Sequence, residues 1–510
     1  MTIKKRWGYD SSKEGQERLL PGRRRFLKIA ATGALGVEIG PGALAFAGGS
    51  THAKPAKPKS QAKTIDVDFS KIIGTLKPLN GVNCGPLVTK GDFDLSTHFS
   101  EAAIKHVRLH DVALMYDNVV DINYVFPHTR ADADDPQSYD FSLTDYYIQS
   151  IRSLGAEITY RLGYSWEGKY YHGRHNAPPQ DYAKWAAICA HIVQHYNHGW
   201  ANGHHFNIKY WEVWNEPNVP NSWSGTPEEY YRLYEVTTKA LKKVDPEIKV
   251  GGPAMGDLAT ATMEFVDGFL KYCADHEVPL DFASWHIYAK EPHVVMEKAA
   301  IVREALDKYG FSKTESVMDE WNYFLGDWTG VENDGAYRKW LFETQLGGAP
   351  GAAYVASVLI GLQDSSVNLA DYYQGTTGYW GGLFDEFAFP RKPYYTFNAF
   401  KFLLSTPDRV FTSGSDDQGF AVTAGLSKDN SEATVLISNF GTQHSHYDIT
   451  FHGLPWTETF AYQKYVVDDR HNLDLAMSEN LRTSTLTVTE EVETPSVCLI
   501  RLRGAGKRVG

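Results

Sequence analysis

Short apolar runs alternate with longer amphipathic stretches from Pro78 onward, over more than 300 residues of this 510-residue chain. The runs are rich in β-branched and aromatic residues, which favour strands, and the stretches between them have helical spacing. Such alternation predicts βαβ units and a parallel sheet. We interpret eight runs as strands, at residues 79–83, 106–110, 156–162, 208–214, 248–252, 281–287, 316–320 and 352–359. Eight strands predict an α/β fold that closes into a (β/α)8 TIM barrel.

Two of the intervening segments carry clear helix signals. Residues 181–195 place apolar side chains at helical spacing behind an aspartate. The motif Thr-Pro-Glu-Glu at 226–229 supplies a threonine N-cap, a proline at the first helical position and acidic residues in the first turn. We expect this second helix to end at the Asp-Pro pair at 245–246, since proline cannot continue a helix.

The pattern changes beyond Pro393. A last helical stretch at 394–404 gives way to short alternating runs without helices, at 420–426, 434–438, 447–451, 460–467, 486–489 and 496–502. This predicts a β-sandwich domain over residues 405–510. A run at 64–69 is expected to add a strand to that sandwich, so that segment 64–77 joins it and the barrel occupies 78–404.

The N-terminal residues 1–47 have the composition of an export signal. Arg-Arg-Arg-Phe-Leu-Lys at 23–28 precedes an Ala/Gly-rich stretch with two small-x-small sites, which predicts a twin-arginine signal peptide and a periplasmic or secreted protein. A chance basic run before a core helix and a membrane anchor are the alternatives, although the glycines and Glu38 make a poor spanning helix. Residues 48–63 are rich in Lys, Pro and Ala and predict a linker.

Charge and cysteine content exclude several classes of protein. The chain carries a formal net charge of −12 and residues 1–47 contribute +5, so the remainder would carry about −17. An acidic surface repels phosphate, which argues against a nucleic-acid partner. The four cysteines are far apart without a C-x-x-C pair, so neither a zinc site nor a disulfide framework is indicated. We expect buried thiols, although export leaves a disulfide open.

Two glutamates stand at the predicted carboxyl ends of strands four and seven. Glu216 lies in the segment YWEVWNEPN and Glu320 in SVMDEWN. Active sites of (β/α)8 barrels lie at this end of the strands. Hydrolysis of a glycosidic bond with retention needs one acid that protonates the leaving oxygen and one carboxylate that attacks the anomeric carbon. The two glutamates meet that requirement and predict a retaining glycoside hydrolase.

The surrounding motifs narrow this prediction further. The Trp-Asn-Glu-Pro-Asn motif at 214–218 is followed by Val-Gly-Gly-Pro-Ala at 250–254, Trp-His-Ile-Tyr at 285–288 and Asp-Glu-Trp-Asn at 319–322. In this order and spacing the motifs resemble family 39 of the glycoside hydrolases, whose best-known members are β-xylosidases and α-L-iduronidases. The resemblance covers the chain from about residue 64 to its end. It implies that Glu216 is the acid/base and Glu320 the nucleophile.

The resemblance also implies roles for residues around the two glutamates. Asn215 matches the residue that hydrogen-bonds the sugar 2-hydroxyl, a contact that tightens in the transition state. His110 matches a sugar-binding histidine, and Arg108 matches a basic residue that keeps the nucleophile ionised. His286 and Tyr288 match a sixth-strand pair that flanks the nucleophile. For both histidines and for Tyr288, a structural role in the core is the alternative.

Two further acids near the pair are expected to be non-catalytic. Glu212 shares a strand with Glu216 and is interpreted as a buried, hydrogen-bonded support. Asp319 directly precedes Glu320, and adjacent strand residues point to opposite faces of a sheet. Asp319 is therefore predicted to face the helices.

Aromatic side chains are the expected platforms for the apolar C–H faces of a sugar. Trp166, Trp285, Trp321 and Trp380 fall at or just past predicted strand ends and are candidate sugar contacts, with core or rim packing as the alternative. The segment 363–384, after the predicted eighth strand, is long and rich in aromatic residues. It predicts a specificity wall over the pocket.

Departures from the family pattern leave the sugar open. Residues 109–111 are Leu-His-Asp, where the family's xylosidases more often have Phe-His-Gly. The extension at 117–140 is a second departure from the family pattern. A β-xylosidase is the first hypothesis, and the same mechanism on an arabinofuranoside, a uronide or an exopolysaccharide is the alternative. A non-catalytic carbohydrate-binding protein would be expected to lack one glutamate, and both are present.

A metal-dependent hydrolase finds little support in the sequence. His204-His205 and His110-Asp111 could suggest ligands, but no H-E-x-x-H or comparable spacing accompanies them. We interpret His204-His205 as a surface turn before strand four. The sequence therefore predicts an oligosaccharide or glycoside substrate, no cofactor, no metal and no stable membrane span.

Overall fold

The computed structural model describes residues 62–88, 93–114, 117–165, 176–256, 260–377, 381–441, 444, 446–483, 485–491 and 493–504. All of them belong to one compact unit, which spans residues 58–510. The predicted signal peptide, nearly all of the predicted linker, Trp166 and Trp380 lie outside the described residues.

The described residues form nineteen strands and eleven α-helices. The strands are β1 (Lys63–Thr75), β2 (Gly81–Asn83), β3 (His106–Leu109), β4 (Ala113–Leu114), β5 (Asp117–Asn118), β6 (Glu157–Leu162), β7 (Tyr210–Val213), β8 (Lys249–Met255), β9 (Phe282–Ala289), β10 (Glu315–Tyr323), β11 (Val367–Tyr372), β12 (Asp408–Ser413), β13 (Phe420–Leu426), β14 (Glu432–Asn439), β15 (His446–His452), β16 (Phe460–Val467), β17 (Asn472–Leu481), β18 (Leu486–Glu491) and β19 (Ser496–Gly504). The helices are α1 (Ser96–Glu101), α2 (Ile122–Val125), α3 (Ser142–Ser153), α4 (Tyr182–His198), α5 (Pro227–Val244), α6 (Thr260–Asp275), α7 (Pro292–Lys308), α8 (Trp328–Asn333), α9 (Gly335–Lys339), α10 (Ala349–Gly361) and α11 (Lys392–Leu404).

Local capping explains where two of the helices begin. At the start of α4, the Asp181 carboxylate accepts from the Lys184 backbone N–H at 3.0 Å. At the start of α5, Thr226 and Glu229 form a reciprocal capping box, and Pro227 occupies the first helical position. These side chains satisfy backbone N–H groups that the helices themselves leave unpaired.

Eight parallel strands close into a barrel in the order β2, β3, β6, β7, β8, β9, β10, β11. The predicted TIM barrel is therefore confirmed. Seven of its strands overlap the runs predicted for strands one to seven. Their carboxyl ends meet at one mouth, where the long connecting loops lie.

The eighth strand was predicted wrongly. Residues 352–359 lie inside α10, and the closing strand is β11, which follows it. Nearly every residue of α10 is buried, so the helix is apolar on all sides and shows no periodicity that would separate it from a buried strand. As a consequence, segment 363–384 is not a single loop, because it contains β11 with Asp371 and Tyr372.

The remaining large sheet forms the sandwich domain. It has nine strands in the order β17, β16, β19, β14, β13, β12, β1, β15, β18, and it curls around a core of its own. As expected, β1 joins this domain, antiparallel to β12 and parallel to β15. Ile65 and Val67 of β1 contribute to the core together with Ile449 and Phe451 of β15.

The sandwich packs on the barrel through α10 and the end of β10. The Ser357 hydroxyl of α10 donates to the Gly419 carbonyl at 2.9 Å, and the Ser438 hydroxyl donates to the Ala353 carbonyl at 2.6 Å. Phe440 packs edge-on against Tyr323 and Tyr354, with ring centroids 5.5 and 5.6 Å away. The sandwich thus covers an apolar helix that would otherwise face water.

The four cysteines are all buried and unpaired. Within the described ranges, no single helix is long and apolar enough to cross a membrane. Gly335–Leu346 and Ala349–Asp364 meet the length and composition requirement only as a pair bent by 53°. The second member of that pair contains α10, which the barrel and the sandwich bury.

Candidate active site

The side chains singled out in the sequence converge at the mouth of the barrel. Arg108 lies in β3, His286 and Tyr288 lie in β9, and Glu320 lies in β10. Glu216 follows the end of β7 at Val213. Hydrogen bonds and ion pairs connect these side chains into one polar cluster inside an apolar barrel.

Glu320 is nearly buried and has two donors. The Tyr288 hydroxyl donates to Glu320 Oε1 at 2.5 Å, and Arg108 Nη1 donates to Glu320 Oε2 at 3.3 Å. Burial raises the pKa of Glu320 above its ordinary value, while positive His286 and Arg108 and the Tyr288 hydroxyl act to lower it. The donors therefore favour the ionised carboxylate and orient both of its oxygens.

Glu216 faces the same cluster from β7. Its Oε1 accepts from His286 Nδ1 at 2.9 Å. A Cβ atom on Gly256 would lie 2.6 Å from Glu216 Oε1, so only glycine leaves room for this carboxylate in its present position. Close packing against the backbone after β8 thus fixes where the Glu216 carboxylate can lie.

Strained backbone surrounds this mouth. Non-glycine residues at positive φ carry a conformational cost, and such residues concentrate at functional sites. Five of them lie at or near the carboxyl ends of barrel strands: Cys84 (63°), Asp111 (52°), Trp214 (74°), Glu216 (50°) and Ala254 (55°).

The His286 imidazole lies between the two glutamates. Its Nδ1 is 2.9 Å from Glu216 Oε1 and its Nε2 is 3.6 Å from Glu320 Oε2. Burial acts to lower the pKa of His286, but the carboxylates of Glu320 and Asp319 outweigh burial and raise it well above its ordinary value. A protonated His286 therefore supplies a positive charge between two acids.

Arg108 is the centre of a fully buried charge network. Its guanidinium contacts Glu212 Oε2 at 2.7 Å and Asp319 Oδ2 at 3.0 Å, in addition to Glu320. It also donates to Asn83 Oδ1 at 3.0 Å and to Asn215 Oδ1 at 2.7 Å. The fork geometry of one arginine thus holds several acceptors in fixed positions.

Asp319 does not face the helices, and that prediction was wrong. Between the pairs Val317–Ser284 and Glu320–His286, β10 contains one residue more than β9, which is a β-bulge. The bulge turns Asp319 and Glu320 toward the same interior, where both contact Arg108. Strict alternation of side chains applies only to a strand without such an insertion.

Glu212 is a buried partner of this network. Burial and the adjacent Asp319 carboxylate together raise the pKa of Glu212 to about 8, against the opposing effect of Arg108. For Asp319, Arg108 and His286 outweigh burial and lower the pKa to about 2. Glu212 therefore carries the proton of this pair near neutral pH, while Asp319 is ionised.

His110 lies at the end of β3 with one ring nitrogen unused. Its Nε2 is 3.4 Å from Asp111 Oδ2, and its buried Nδ1 has no hydrogen-bond partner among the described residues. Burial and the nearby Arg161, Arg108 and His286 lower the pKa of His110 well below its ordinary value. A neutral His110 can therefore bind a hydroxyl group.

Two of the tryptophans proposed as sugar contacts are core residues. Trp321 has no exposed surface and packs edge-on against Tyr372 of β11 at 5.3 Å. Trp285 is equally buried and donates from Nε1 to the Ser316 hydroxyl at 3.0 Å. The structure contradicts the assignment of Trp321 to substrate binding, because a fully buried ring offers no face to a sugar.

Trp328 in α8 is an exposed aromatic residue that the sequence patterns missed. It is 46% exposed and packs against Phe324 with ring centroids 4.2 Å apart. Its ring also lies 6.3 Å from that of Tyr288, the donor to Glu320. The sequence did not predict that Trp328 lies near Tyr288, because the two residues are on different segments of the chain. The one available signal was the presence of a tryptophan in the loop after strand seven.

The candidate metal ligands are not part of this cluster. In the described part of the chain, the residues with metal-ligand spacing are Asp145, His195 and His204, and none of them belongs to the mouth of the barrel. The chemistry available at the mouth is that of carboxylates, imidazoles, a phenol and a guanidinium.

A (β/α)8 barrel with paired glutamates at the ends of strands four and seven defines a glycoside hydrolase site. The model of the glycosyl hydrolases family 39 matches residues 59–366. The chain belongs to this family, which implies a retaining mechanism, and the resemblance noted in its motifs is confirmed.

Similar proteins include two curated β-xylosidases. One from Geobacillus stearothermophilus is 33% identical over 180 residues, which is 33% of this chain and 34% of that protein. One from Caldicellulosiruptor saccharolyticus is 30% identical over 181 residues, 34% of this chain and 35% of that protein. The matched region thus spans about a third of the length of each relative.

Solved structures share the fold over most of the chain. A glucosidase from Croceicoccus marinus has a TM-score of 0.73 and 26% identity, covering 88% of this chain and 100% of that one. A monomeric β-xylosidase from Caulobacter crescentus has a TM-score of 0.69 and 16% identity, with coverages of 87% and 100%. At 16% identity, the second likeness concerns the fold alone.

Proposed function

We propose that the protein is an exo-acting retaining β-glycosidase with β-xylosides as its first candidate substrates. The observation that carries the proposal is the placement of Glu216 and Glu320 on two sides of the His286 ring, at 2.9 and 3.6 Å. The β-xylosidase relatives support xylose as the sugar. The aglycone would leave from the side of the site that Glu216 faces.

The reaction has two displacement steps. Glu320 attacks the anomeric carbon while the bond to the leaving oxygen breaks, and Glu216 gives that oxygen its proton. Glu216 then removes a proton from water, and the water oxygen replaces Glu320 at the anomeric carbon. Because Asn215 Oδ1 accepts from Arg108, the Asn215 amide is oriented so that its NH2 group is the donor for the sugar 2-hydroxyl.

Azide rescue tests the assignment of the two acids. We expect Glu320→Gly to abolish turnover of aryl glycosides, and added azide or formate to restore part of it with inverted product. Glu315→Gly is a matched control, since Glu315 lies at the other end of β10 and pairs with Lys249. Unchanged activity in Glu320→Gly or in Glu216→Ala would overturn the assignment.

A glucoside is the second candidate substrate. The glucosidase structure is 26% identical and covers 88% of this chain, a far longer match than either β-xylosidase relative provides. A panel of aryl xyloside, glucoside, arabinofuranoside, galactoside and glucuronide substrates separates the candidates. If the xyloside is the poorest substrate in kcat/KM, the β-xylosidase proposal fails while the mechanism stands.

We also propose that the chain is exported by the twin-arginine route. The support is the Arg-Arg-Arg-Phe-Leu-Lys segment at 23–28 and the small-x-small sites behind it. Replacing Arg23 and Arg24 by lysine should leave the protein in the cytoplasm on cell fractionation. Replacing Arg6 and Arg18 is the matched control, and equal export of the two double variants would contradict the proposal.

A further inference from the structure

A cluster of metal-ligating side chains lies outside the active site and plays no part in the reaction. Asp145 is in the first turn of α3, His195 is in the last turn of α4, and His204 lies between α4 and β7. One ligand atom from each residue lies within 4.8 Å of the other two. Three segments of the chain therefore meet at one point through a carboxylate and two imidazoles.

The distances between these atoms suit a small divalent cation. His195 Nε2 is 3.0 Å from Asp145 Oδ1, and His204 Nε2 is 3.4 Å from Asp145 Oδ2. Nitrogen and oxygen ligands at about 2.0–2.1 Å from zinc with tetrahedral angles are separated by about 3.3 Å. Each measured separation is close to that value, and the two imidazoles approach different oxygens of the Asp145 carboxylate.

The two ring nitrogens of His195 both face acceptors: Nδ1 faces a backbone carbonyl and Nε2 faces the Asp145 carboxylate. Nδ1 lies 2.9 Å from the Trp200 carbonyl, to which it must donate. A neutral His195 then presents the lone pair of Nε2 to a carboxylate oxygen, an arrangement that either a proton or a cation must relieve. In metal-binding histidines, the ring nitrogen that does not bind the metal commonly donates its N–H to a backbone carbonyl, as Nδ1 does here.

His204 supplies the second unused nitrogen. Its Nε2 is buried, makes no hydrogen bond within the described residues and faces the other oxygen of the same carboxylate. Stacking on Phe206, with ring centroids 4.3 Å apart, holds the ring in this orientation. The Asp145 side chain is 30% exposed, so an ion and a water ligand can reach the cluster from solvent.

We propose that Asp145, His195 and His204 bind one zinc ion, with water as the fourth ligand. Imidazole and carboxylate ligands suit zinc, and three protein ligands leave one position open. The ion ties α3, α4 and the segment before β7 together and stabilises the barrel wall at that point. Because this role is separate from hydrolysis, the site is independent of the proposed function.

Zinc stoichiometry tests the proposal directly. The full chain without a polyhistidine tag is stripped with chelator, dialysed against micromolar Zn²⁺ and examined by elemental analysis. We expect one zinc ion per chain in the wild type, and a Tm that rises with the concentration of free Zn²⁺. His204→Ala and Asp145→Asn should both lose the bound ion and the rise in Tm, while hydrolytic activity is unchanged.

His198→Ala is the matched control. His198 lies on the same helix as His195 and pairs with Asp245 at the same distance of 3.0 Å, but among the described residues no third metal-ligating side chain joins this pair. This variant should keep the zinc ion and the Tm response. Wild-type protein that retains no zinc, or zinc binding that survives in Asp145→Asn, would overturn the proposal. Asp145→Asn preserves the shape of the side chain, so a folding defect in His204→Ala leaves this comparison intact.

Discussion

The buried charged side chains at the mouth of the barrel stabilise one another. Arg108, Glu212, Asp319 and Glu320 are buried in a medium where an unpaired charge is costly, so each depends on the others for its ionisation state. Removal of the charge of Arg108, Asp319 or Glu320 leaves the other charges uncompensated. Effects of single substitutions should therefore appear in pH dependence as well as in rate.

Glu212 is expected to make folding stability depend on pH. Its pKa is raised from 4.5 to about 8 in the folded protein, so between these values the folded state binds a proton that the unfolded state does not. The contribution of Glu212 is fully present below about pH 4.5 and is lost as the pH rises through about 8. Glu212→Gln keeps the neutral form, so its Tm relative to wild type should rise from pH 5 to pH 8. A difference in Tm that does not vary with pH would contradict this expectation.

Tyr288→Phe tests the hydrogen bond to the nucleophile. The Tyr288 hydroxyl lowers the pKa of Glu320, so its removal should raise that pKa further. Glu320 must be ionised to attack, and the acidic limb of the pH profile of kcat/KM should move to higher pH. A variant with lower kcat but an unshifted acidic limb would indicate that Tyr288 only positions the substrate.

At the scale of elements, irregular segments place the reacting groups. The bulge in β10 brings Asp319 and Glu320 to one face, and the strained turn after β7 carries Glu216 at φ 50°. The loop after β10 contains α8 and brings Trp328 beside Tyr288. The regular strands form the barrel, whereas the bulge, the turn and the loop set the directions of the catalytic side chains.

Gly256→Ala should disturb Glu216 without touching Glu320. The added methyl group would lie 2.6 Å from Glu216 Oε1, so the acid must move. Glycosides with poor leaving groups need protonation most, so their kcat/KM should fall at least about tenfold, whereas aryl glycosides with good leaving groups should be affected less. Gly74→Ala is the control, because a Cβ at Gly74 meets no atom within 4 Å. Equal losses for both kinds of substrate would contradict this prediction.

At the scale of the whole molecule, the sandwich supports the barrel wall that carries the nucleophile. Phe440 of the sandwich packs against Tyr323, the last residue of β10, and against Tyr354 of α10. The segment β1 precedes the barrel in sequence yet lies in the middle of the sandwich sheet. We therefore expect the two domains to unfold together.

Phe440→Ala measures this dependence. Loss of a buried phenylalanine costs about 3–5 kcal/mol of unfolding free energy, so the Tm should fall by several degrees in a single transition. Phe411→Ala removes a ring of equal size from β12, where the ring is only partly buried and lies under Lys71 Nζ at 4.2 Å, and should cost less. Two separate transitions in either variant would show that the domains unfold independently.

Much of this architecture could be predicted because its signals are local. Periodicity placed seven barrel strands, and the Asn-Glu-Pro motif placed Glu216 just past a strand end. The eighth strand was placed wrongly at 352–359 because these residues belong to α10. This helix is buried on all sides and therefore lacks the periodicity that distinguishes a helix from a buried strand. Core packing and sugar contact could not be distinguished for Trp321 and Trp285, because a position at a strand end does not reveal which face of the sheet a ring occupies.

The sequence by itself determined the fold class, the family and the two glutamates at the barrel mouth, since each depends on residues close together in the chain. Only the tertiary structure decided that Asp319 turns inward, that Arg108 joins three carboxylates, and that Asp145, His195 and His204 meet. These features depend on strand register and on contacts between distant segments. Spacing along the chain does not encode them, because they arise only when the barrel closes.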